Sequence, residues 1–410
     1  MQDYAIIITQ GDELTTGRIL NTNAHWLAGL LTDHGWAVKG IITAPDSHNE
    51  LSHRFRAEAQ SGALIISTGG LGPTTDDHTR NAFSSAFSIP LVQNQLAMAH
   101  LKAYCHRRQR NLSTEMTVMS MLPENAAVIP NAHGSAVGFD IQVNGCRFCA
   151  LPGVPSEFKS MILDSILPDI TQTKAQTLTT FLCFGQPEAV LQERIQALKL
   201  SNYRIGYRAT RTGNLIKLHG PPLDATIRNQ ILTALDDCLM AENEDDMAAA
   251  IGNQLRNGEE TVATAESCTA GGVASWLASI PGASSYLMEG VVTYSNEAKQ
   301  KYTGLRSETL KQYGAVSRET AEELALGIRA QAQSTWGISV TGIAGPSGGT
   351  PQKPVGTVHI AVAGPNDIIA HRQLLLRGTR TEITRSSAAH LLYLLHETRK
   401  NSLIQMQNSP

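Results

Sequence analysis

Short apolar segments of strand length alternate with longer helix-length segments along the first 90 residues, and this alternation restricts the fold more than any other feature. Strands that alternate with helices indicate a parallel sheet covered by helices on both faces. In such sheets, ligands bind at the carboxyl ends of the strands. The predicted elements are a strand at 4–9, a helix at 23–34, a strand at 36–43, a helix at 51–60 and a strand at 63–68. The fold class is therefore α/β.

The chain of 410 residues is too long for one ordinary hydrophobic core, because cores usually stop growing at about 250–300 residues. We predict an α/β domain at 1–170, a small α+β domain at 171–246 and a second α/β domain at 247–410. In the middle domain the pattern predicts strands at 178–184, 204–207 and 215–218, with helices at 188–198 and 223–239. The acidic run at 242–246 is interpreted as a solvated linker.

Composition excludes several classes of function. With 17% charged residues and a net charge of −3, the chain carries no basic field of the kind that binds nucleic acid. No apolar stretch approaches the roughly 20 residues of a membrane-spanning helix, and the N-terminus lacks the pattern of a signal peptide. Six cysteines are scattered rather than grouped as a disulfide framework, which fits a reducing compartment. We therefore expect a cytoplasmic protein without nucleic-acid or membrane partners.

The segment AESCTAGG at 265–272 carries the strongest chemical signal. It follows an alternating strand at 261–265 and opens a helix predicted to run to residue 279. A nucleophile at such a junction faces unpaired backbone N–H groups and the positive end of the helix dipole, which suits oxyanion chemistry. Ser267 is the candidate nucleophile, and Cys268 competes with it because a thiol is more nucleophilic at neutral pH. From spacing alone, Ser267 is also a candidate N-cap.

A second motif, GVVTYSNEAK at 290–299, predicts a strand that ends at Tyr294 and a helix capped by Ser295. Lys299 lies about one turn into that helix, so Tyr294 and Lys299 are expected to converge on one edge of the sheet. A lysine in an apolar cleft has a depressed pKa and can act as a general base toward a serine. The alternative interpretation of Lys299 is a solvated surface lysine.

Two further motifs follow in the C-terminal region. SVTGIAGPSGG at 339–349 contains Gly342 and Gly345, and its glycines allow the backbone to approach a ligand closely. A strand is predicted at 356–362, and the basic turn RGTRTEITR at 377–385 follows it. Arg377, Arg380 and Arg385 lie near a helix start and are candidates for binding a phosphate.

Two loops stand out in the N-terminal region, GDELTTGRILNTN at 11–23 and GGLGPTTDD at 69–77. The second follows a buried strand and precedes a helix, so its glycines and N–H groups are suited to cradle phosphate. Asp76 and Asp77 are candidate ligands of a divalent cation, because carboxylate oxygens suit hard cations. The alternative for a glycine-rich turn that ends in aspartate is a helix cap.

Four motifs follow one another in the C-terminal region: the serine motif, TYSNEAK, GIAGP and KPVGTV. Because of these motifs and their order, residues 250–400 resemble the C-terminal domain of the CinA family, the nicotinamide mononucleotide (NMN) amidohydrolases. The resemblance implies hydrolysis of NMN to nicotinic acid mononucleotide and ammonia in NAD salvage, without a cofactor. It implies Ser267 as the nucleophile, Lys299 as its base and Tyr294 as a positioning or proton-relay residue. Further substrate contacts are expected from Thr269, Ala270, Gly271, Gly342, Gly345, Arg377 and Arg380.

Backbone N–H groups near Thr269 to Gly271 are expected to hold the oxyanion. The family often has glycine where Ala270 stands. Because both residues are small, we expect this difference to be neutral.

Residues 1–170 resemble the molybdopterin-binding (MoCF) fold in its CinA version, a three-layer α/β/α domain. The resemblance lies in the two N-terminal loops and in NAHGSAVGF at 131–139 and LPGVPSEF at 151–158. It implies a metal-dependent ADP-ribose pyrophosphatase that releases AMP and ribose 5-phosphate, with Mg²⁺, Co²⁺ or Mn²⁺ held by Asp76 and Asp77. Substrate contacts are expected from Asp12, Glu13, Asn23, Gly70 and Gly72.

The middle domain is similar to the KH-type domain of the same family, but it lacks the Gly-x-x-Gly loop that clamps RNA, so we expect a structural role. Two other classes of function stay open: a pterin-binding protein of molybdenum cofactor biosynthesis, and a non-catalytic protein related to competence. The expected partners are the small nucleotides NMN and ADP-ribose. A homodimer is also expected, since the family implies it and symmetric dimers are the commonest oligomers.

Overall fold

The computed structural model describes residues 4–59, 64–171 and 177–407. The chain divides into two units, Met1–Leu178 and Thr179–Pro410. The first unit contains the N-terminal α/β domain. The second contains the small middle domain and the C-terminal α/β domain.

The first unit is built on a mixed sheet. Its strands in the described residues are β1 (Tyr4–Gln10), β2 (Ala37–Ala44), β3 (Leu64–Thr68), β4 (Leu91–Gln93), β5 (Met121–Pro123), β6 (Ala127–Ile129), β7 (Gly138–Val143) and β8 (Cys146–Leu151). Six of them form a sheet in the order β2-β1-β3-β8-β7-β6, while β4 and β5 pair separately. The first four strands of this order are parallel, and β7 and β6 are antiparallel to their neighbours.

Helices cover both faces of this sheet. They are α1 (Asp12–Thr15), α2 (Thr22–Asp33), α3 (His48–Glu58), α4 (Thr79–Phe87), α5 (Gln95–Arg107), α6 (Thr114–Thr117), α7 (Pro155–Met161) and α8 (Leu167–Thr171). Strand β1 turns Ile7 toward the side of α2 and α7, and Ile8 toward the side of α3, α4 and α5. The predicted three-layer α/β/α domain is therefore confirmed.

The middle domain contains β9 (Thr177–Cys183), α9 (Glu188–Ala197), β10 (Arg204–Thr210), β11 (Gly213–Gly220), α10 (Ala225–Leu235) and β12 (Leu239–Glu242). Its sheet has the order β10-β11-β9-β12. One face packs on α9 and α10 through Phe181 and Ile216. On the other face, Leu182 and Leu215 belong to the hydrophobic core of the C-terminal domain. The middle sheet is thus a layer of the second unit.

The C-terminal domain contains α11 (Met247–Asn257), β13 (Val262–Glu266), α12 (Gly272–Ala278), β14 (Leu287–Val292), α13 (Asn296–Thr303), α14 (Ser307–Tyr313), α15 (Arg318–Ala332), β15 (Trp336–Gly342), β16 (Thr357–Ala363), β17 (Ile369–Leu375) and α16 (Arg380–Gln407). The strand order is β14-β13-β15-β16-β17. Because β13 is parallel to both β14 and β15, the carboxyl ends of these three strands share one edge. The candidate catalytic motifs follow at that edge.

The parallel sheet predicted from the first 90 residues is confirmed, because β1 pairs in parallel with both β2 and β3. Farther along the chain, β7 and β8 form an antiparallel hairpin through Asn144 and Gly145, both at positive φ. An Asn-Gly pair of this kind is a strong hairpin signal. In the middle domain, the helix predicted at 223–239 ends at Leu235, and Leu239–Glu242 pairs with β9 instead. Tertiary strand pairing overrode the local helical pattern there.

The boundaries of other elements moved for local reasons. The helix predicted from residue 51 begins at His48, because the Ser47 side chain caps it by accepting from the Glu50 amide. The predicted element ends at residues 60 and 63 lie outside the described residues. In the acidic run at 242–246, Asp246 caps α11 rather than lying free in solvent. Within the described residues, no helix combines the length and apolar character needed to cross a bilayer.

Candidate active site

Ser267 lies in the turn between β13 and α12, and its side chain is 8% exposed. The residue before it, Glu266, is fully buried. The Glu266 carboxylate accepts hydrogen bonds of 2.6–3.1 Å from the Thr269 hydroxyl and from the amides of Gly271, Val273 and Ala274. An anion at a helix N-terminus offsets the positive end of the helix dipole. The dipole that we predicted to act on Ser267 is therefore directed at Glu266.

Lys299 lies in the first turns of α13 with a side chain that is 2% exposed. Its Nζ is 3.2 Å from Ser267 Oγ, 2.8 Å from Thr293 O and 3.4 Å from Tyr294 O. A neutral amine has two N–H donors and one lone pair. The two carbonyls can accept both donors, which leaves the lone pair for the serine hydroxyl. The surroundings suit a neutral general base, and the alternative of a solvated surface lysine is wrong.

The electrostatic surroundings separate the two candidate nucleophiles. Burial lowers the pKa of Lys299 below that of an ordinary lysine. Burial also raises the pKa of Cys268, whose side chain is 6% exposed, to about 12. A thiol in that state is protonated at neutral pH and is a poor nucleophile. Ser267, in contrast, contacts a base directly.

Two backbone amides in the turn after Ser267 remain available for an oxyanion. The amide of Ala270 donates to Ser267 O (3.1 Å), and the amide of Gly271 donates to Glu266 (3.1 Å). In the described part of the chain, the amides of Cys268 and Thr269 have no hydrogen-bond acceptor. The expected oxyanion donors were the amides from Thr269 to Gly271, and of these only the amide of Thr269 is available. The amide of Cys268, which was not among the expected donors, is available as well.

Ala270 has a φ of 51°, in the left-handed region of the backbone map. This conformation costs a residue with a Cβ roughly 1–2 kcal/mol, whereas glycine adopts it readily. The left-handed φ favours glycine at this position, where we expected alanine to be neutral.

Tyr294 and the predicted substrate-binding residues lie at the rim. The ring of Tyr294 is 57% exposed, and its hydroxyl accepts from Arg380 Nη2 at 2.9 Å. Arg380 Nη1 donates to Gly345 O at 2.9 Å, so Arg380 joins the tyrosine to the glycine loop. Lys299 contacts the carbonyl of Tyr294 rather than its ring. Arg377 is exposed and has no hydrogen bond within the described residues, and Gly342 ends β15.

The two predicted N-terminal loops border one cavity of about 510 Å³. It is lined by six of the predicted residues, Glu13, Asn23, Gly70, Gly72, Asp76 and Asp77, and also by Gln10, Asp46, Ser135 and Glu157. Asp12 does not line it. The amide of Asp46 donates to the Asp12 carboxylate (3.1 Å), and the amide of Asp12 donates to the Asp46 carboxylate (3.0 Å). Asp12 thus holds together the loops that follow β1 and β2.

Asp77 organises the loop after β3. Its carboxylate accepts from the amides of Gly72 (2.8 Å) and Thr74 (2.9 Å) and from the Thr74 hydroxyl (2.5 Å). The buried guanidinium of Arg80 donates to two carbonyls of the same loop, and burial lowers the pKa of Arg80 to about 10. Gly70 has a φ of 64°, and a Cβ there would lie 2.2 Å from Gln10 Oε1. Glycine is therefore favoured at that position.

Asp76 differs from Asp77 because it is exposed. The nearby Thr74 hydroxyl and the backbone N–H of Asp76 itself lower the pKa of Asp76, so its carboxylate is charged at neutral pH. Within the described residues, no three His, Cys, Asp or Glu side chains are grouped to hold a metal by themselves. Divalent cations at phosphate sites are often bound by one or two carboxylates together with phosphate oxygens. Asp76 fits this role, whereas Asp77 uses both oxygens within its loop.

Comparison with known proteins gives the family. A probable molybdopterin binding domain matches residues 6–172, and the CinA C-terminal domain matches residues 244–399. A CinA-like protein from Shewanella piezotolerans is 36% identical over 93% of each chain. A CinA-like protein from Anaeromyxobacter dehalogenans is 35% identical over 95% of this chain and 98% of the relative. The chain belongs to the CinA family.

Solved structures of CinA proteins are also similar to parts of the chain. The competence/damage inducible protein CihA from Agrobacterium tumefaciens is 38% identical, with a TM-score of 0.37, and the match covers 37% of this chain and 93% of that one. The protein CinA from Thermoplasma acidophilum is 31% identical, with a TM-score of 0.39, and the match covers 41% of this chain and 98% of that one.

Sequence analysis of this CinA-family chain missed Glu266, Asp46 and Arg80. Glu266 stands directly before Ser267, and an acid at the start of a helix is a recognisable signal. Asp46 and Arg80 carried no comparable signal. Asp46 bonds to a residue 34 positions away, and Arg80 to a loop 8 or 9 positions away, so their roles depend on how the loops meet.

Proposed function

We propose that this chain is an amidohydrolase in which Ser267 is the nucleophile and Lys299 is the general base. The observation that carries the proposal is the 3.2 Å contact between the buried Nζ and the serine Oγ, with carbonyl acceptors for the other amine donors. Burying an amine among so few partners destabilises a fold. A non-catalytic interaction protein has no use for such an arrangement, whereas a hydrolase of the serine–lysine type uses it.

The residues suggest the following sequence of steps. As Ser267 Oγ attacks a carboxamide carbon, its proton moves to Nζ of Lys299. The amides of Cys268 and Thr269 donate to the oxyanion that forms. Lys299 then returns the proton to the leaving nitrogen, ammonia departs, and an acyl ester remains on Ser267. Water activated by Lys299 hydrolyses the ester and restores both side chains.

We extend the proposal to NMN as the substrate, with nicotinic acid mononucleotide and ammonia as the products and no cofactor. Membership of the CinA family and the match of all four motifs support this choice. The rim chemistry is compatible with it, since Arg377 and Arg380 offer positive charge to a phosphate and the exposed ring of Tyr294 offers a surface for a pyridine.

The decisive experiment is ammonia release from NMN by purified wild type, Ser267→Ala and Cys268→Ala, each checked for folding by circular dichroism. We expect release by wild type and Cys268→Ala and none by Ser267→Ala. Release by Ser267→Ala but not by Cys268→Ala would move the nucleophile to the cysteine. A folded wild type that releases no ammonia would overturn the proposed substrate.

We propose a second activity, hydrolysis of ADP-ribose to AMP and ribose 5-phosphate, in the N-terminal cavity. The supporting observation is that Glu13, Asn23 and the glycine loop meet around one 510 Å³ space with the exposed Asp76. Here Asp76 would hold a divalent cation (Mg²⁺, Co²⁺ or Mn²⁺), which supplies polarisation of the phosphoryl group and a more acidic bound water. The amide of Gly70 would bind a phosphate oxygen, whereas the amide of Gly72 already donates to the Asp77 carboxylate.

The test of this second activity is AMP release from ADP-ribose with each cation in turn. AMP release that depends on the added cation supports the assignment. Tight binding of a pterin without AMP release would favour the alternative of a pterin-binding protein, which the matched domain description also suggests.

We further propose that the partners are small nucleotides and a second copy of the chain, in the cytoplasm. The family resemblance supports the homodimer. Sedimentation of the purified protein measures its oligomeric state directly, and a monomer at micromolar concentration would overturn this proposal.

A further inference from the structure

A groove of about 850 Å³ lies in the second unit between the β10–β11 hairpin and the helices α12 and α16. The hairpin contributes Arg208 and Arg211, and α16 contributes Arg385. Trp276 on α12 forms part of the opposite wall. Ser267, Lys299 and Arg380 do not line the groove, whereas Thr269, a proposed oxyanion donor, does, so the groove adjoins the proposed amidase site.

The groove carries uncompensated positive charge. Arg211 pairs with Glu382 at 2.7 Å. Within the described residues, the guanidinium groups of Arg208 and Arg385 form no hydrogen bond or ion pair, and both residues are exposed. The acid in the lining, Asp246, is already bound by the Trp276 indole N–H and by the first amides of α11. Two free guanidinium groups therefore face the same space.

The arginines from the two domains are held on a common framework. Leu182 and Leu215 of the middle sheet are buried in one core with Leu392 and Tyr393 of α16. The Tyr393 hydroxyl donates to Asp237 O in the middle domain at 3.0 Å. Because this packing fixes the hairpin against α16, Arg208 and Arg385 converge without the ordering cost that two flexible surface side chains on separate bodies would carry.

Other groups in the lining are suited to the same kind of ligand. Ser275 also lines the groove, and its hydroxyl can donate to a phosphate oxygen, whereas the hydroxyl of Thr384 donates to Thr381 O at 3.0 Å. The half-buried Trp276 offers a flat apolar surface of the type on which a nucleobase stacks. Guanidinium groups are the preferred partners of phosphate, because their geometry matches its oxygens.

We propose that this groove binds a phosphate monoester, with Arg208 and Arg385 on the phosphate and Trp276 against the organic part. The site requires the middle domain, which therefore contributes ligand-binding residues in addition to structure. The proposal does not depend on which reaction occurs at Ser267.

The probes are AMP and inorganic phosphate, titrated separately into the full-length protein without NMN. Tryptophan fluorescence is recorded for wild type and for Trp276→Phe, and the difference reports the groove. We expect a saturable difference signal. In the double variant Arg208→Gln/Arg385→Gln the affinity should fall about tenfold or more, since two charge-assisted contacts to phosphate are lost. The matched control is Arg204→Gln, which removes an exposed arginine of the same strand outside the groove and should leave the affinity unchanged.

Equilibrium dialysis with labelled AMP gives the same comparison without altering Trp276, and the double variant should bind one AMP fewer than wild type. Tighter binding of AMP than of phosphate would show that Trp276 recognises the base, and equal affinity would show that the arginines recognise the phosphate alone. No Trp276-dependent signal at millimolar AMP or phosphate, or an unchanged AMP count in the folded double variant, would overturn the proposal.

Discussion

The two candidate sites share a local design but differ in burial. Each site follows the carboxyl end of a strand, and in each a carboxylate accepts hydrogen bonds from backbone amides and so fixes the turn. In the C-terminal site this carboxylate, Glu266, is fully buried, and the side chain of Lys299 is buried beside it. In the N-terminal site Asp77 organises an exposed loop, and Asp76 faces solvent.

The difference indicates where each site obtains its reactivity. The protein alone sets the state of Lys299, through burial and three fixed oxygen neighbours. An exposed carboxylate such as Asp76 has ordinary reactivity until a cation and a phosphate complete its surroundings. On the proposed functions, the C-terminal site is therefore assembled before its substrate arrives, whereas the N-terminal site is completed by its cation and its phosphate.

The largest effect is expected from Lys299→Met. Loss of the general base should lower the rate of NMN hydrolysis by about 10²–10⁴-fold, while AMP release from ADP-ribose stays unchanged. Both rates are measured on one preparation. The control is Lys301→Met, which removes an exposed lysine of the same helix and should retain both activities. Equal loss of both activities in Lys299→Met would contradict the independence of the two sites.

The converse change, Asp76→Asn, should lower AMP release by about 100-fold or more, because metal stabilisation of the phosphoryl group contributes several kcal/mol. Ammonia release from NMN should persist. The matched comparison is Asp77→Asn. This variant should bind ADP-ribose more weakly, because the loop after β3 loses the carboxylate that orders it. Full AMP release by folded Asp76→Asn would show that the cation lies elsewhere.

The two organising carboxylates should also differ in their effect on stability. Glu266→Gln leaves buried amides facing a neutral amide group and should lower the free energy of unfolding by about 2–3 kcal/mol. Asp77→Asn should cost about 1 kcal/mol, as for an exposed cap. Urea denaturation, followed by circular dichroism, measures both values. A larger loss of unfolding free energy in Asp77→Asn than in Glu266→Gln would contradict the expectation that the more buried carboxylate stabilises the fold more.

The pH profiles should separate the sites as well. The neutral form of Lys299 increases as pH rises through its lowered pKa, so kcat/KM for NMN should rise with an apparent pKa below 10.5. Stability should rise with pH between that lowered pKa and 10.5, because the unfolded chain binds the proton more tightly there. The pH profile of AMP release should lack the rise that the NMN profile owes to Lys299. An NMN profile that is flat below pH 10 would exclude Lys299 as the base.

The smallest effect is expected from Ala270→Gly. Relief of the left-handed conformation should raise the free energy of unfolding by about 0.5–1 kcal/mol after the greater backbone entropy of glycine is subtracted. Ala274→Gly in the neighbouring helix should lower it by about 1 kcal/mol. Thermal unfolding of the two variants distinguishes the signs, and a loss in both would show that Ala270 is not strained.

Local patterns predicted most of the strands and helices that position the sites. The strand predicted at 4–9 is Tyr4–Gln10, and the helix predicted at 188–198 is Glu188–Ala197. The predictions were wrong where distant pairing decided the outcome, as for Leu239–Glu242 beside β9. In the N-terminal site, both loops were identified from their glycines and acids. The sequence did not predict that Asp77 orders the loop while Asp76 is exposed, because this difference depends on which of the two carboxylates accepts the hydrogen bonds of the loop.

The sequence by itself determined the alternation of strands and helices, the family, and the position of Ser267 between a strand and a helix. Only the tertiary structure decided the chemical state of the candidate residues. Ser267 and Lys299 are 32 positions apart, and their contact depends on parallel strands that end at one edge. A pKa depends on burial and on neighbours brought together by packing. For this reason, no local pattern could show that Lys299 is buried beside Ser267, that burial raises the pKa of Cys268, or that Glu266 takes up the helix dipole.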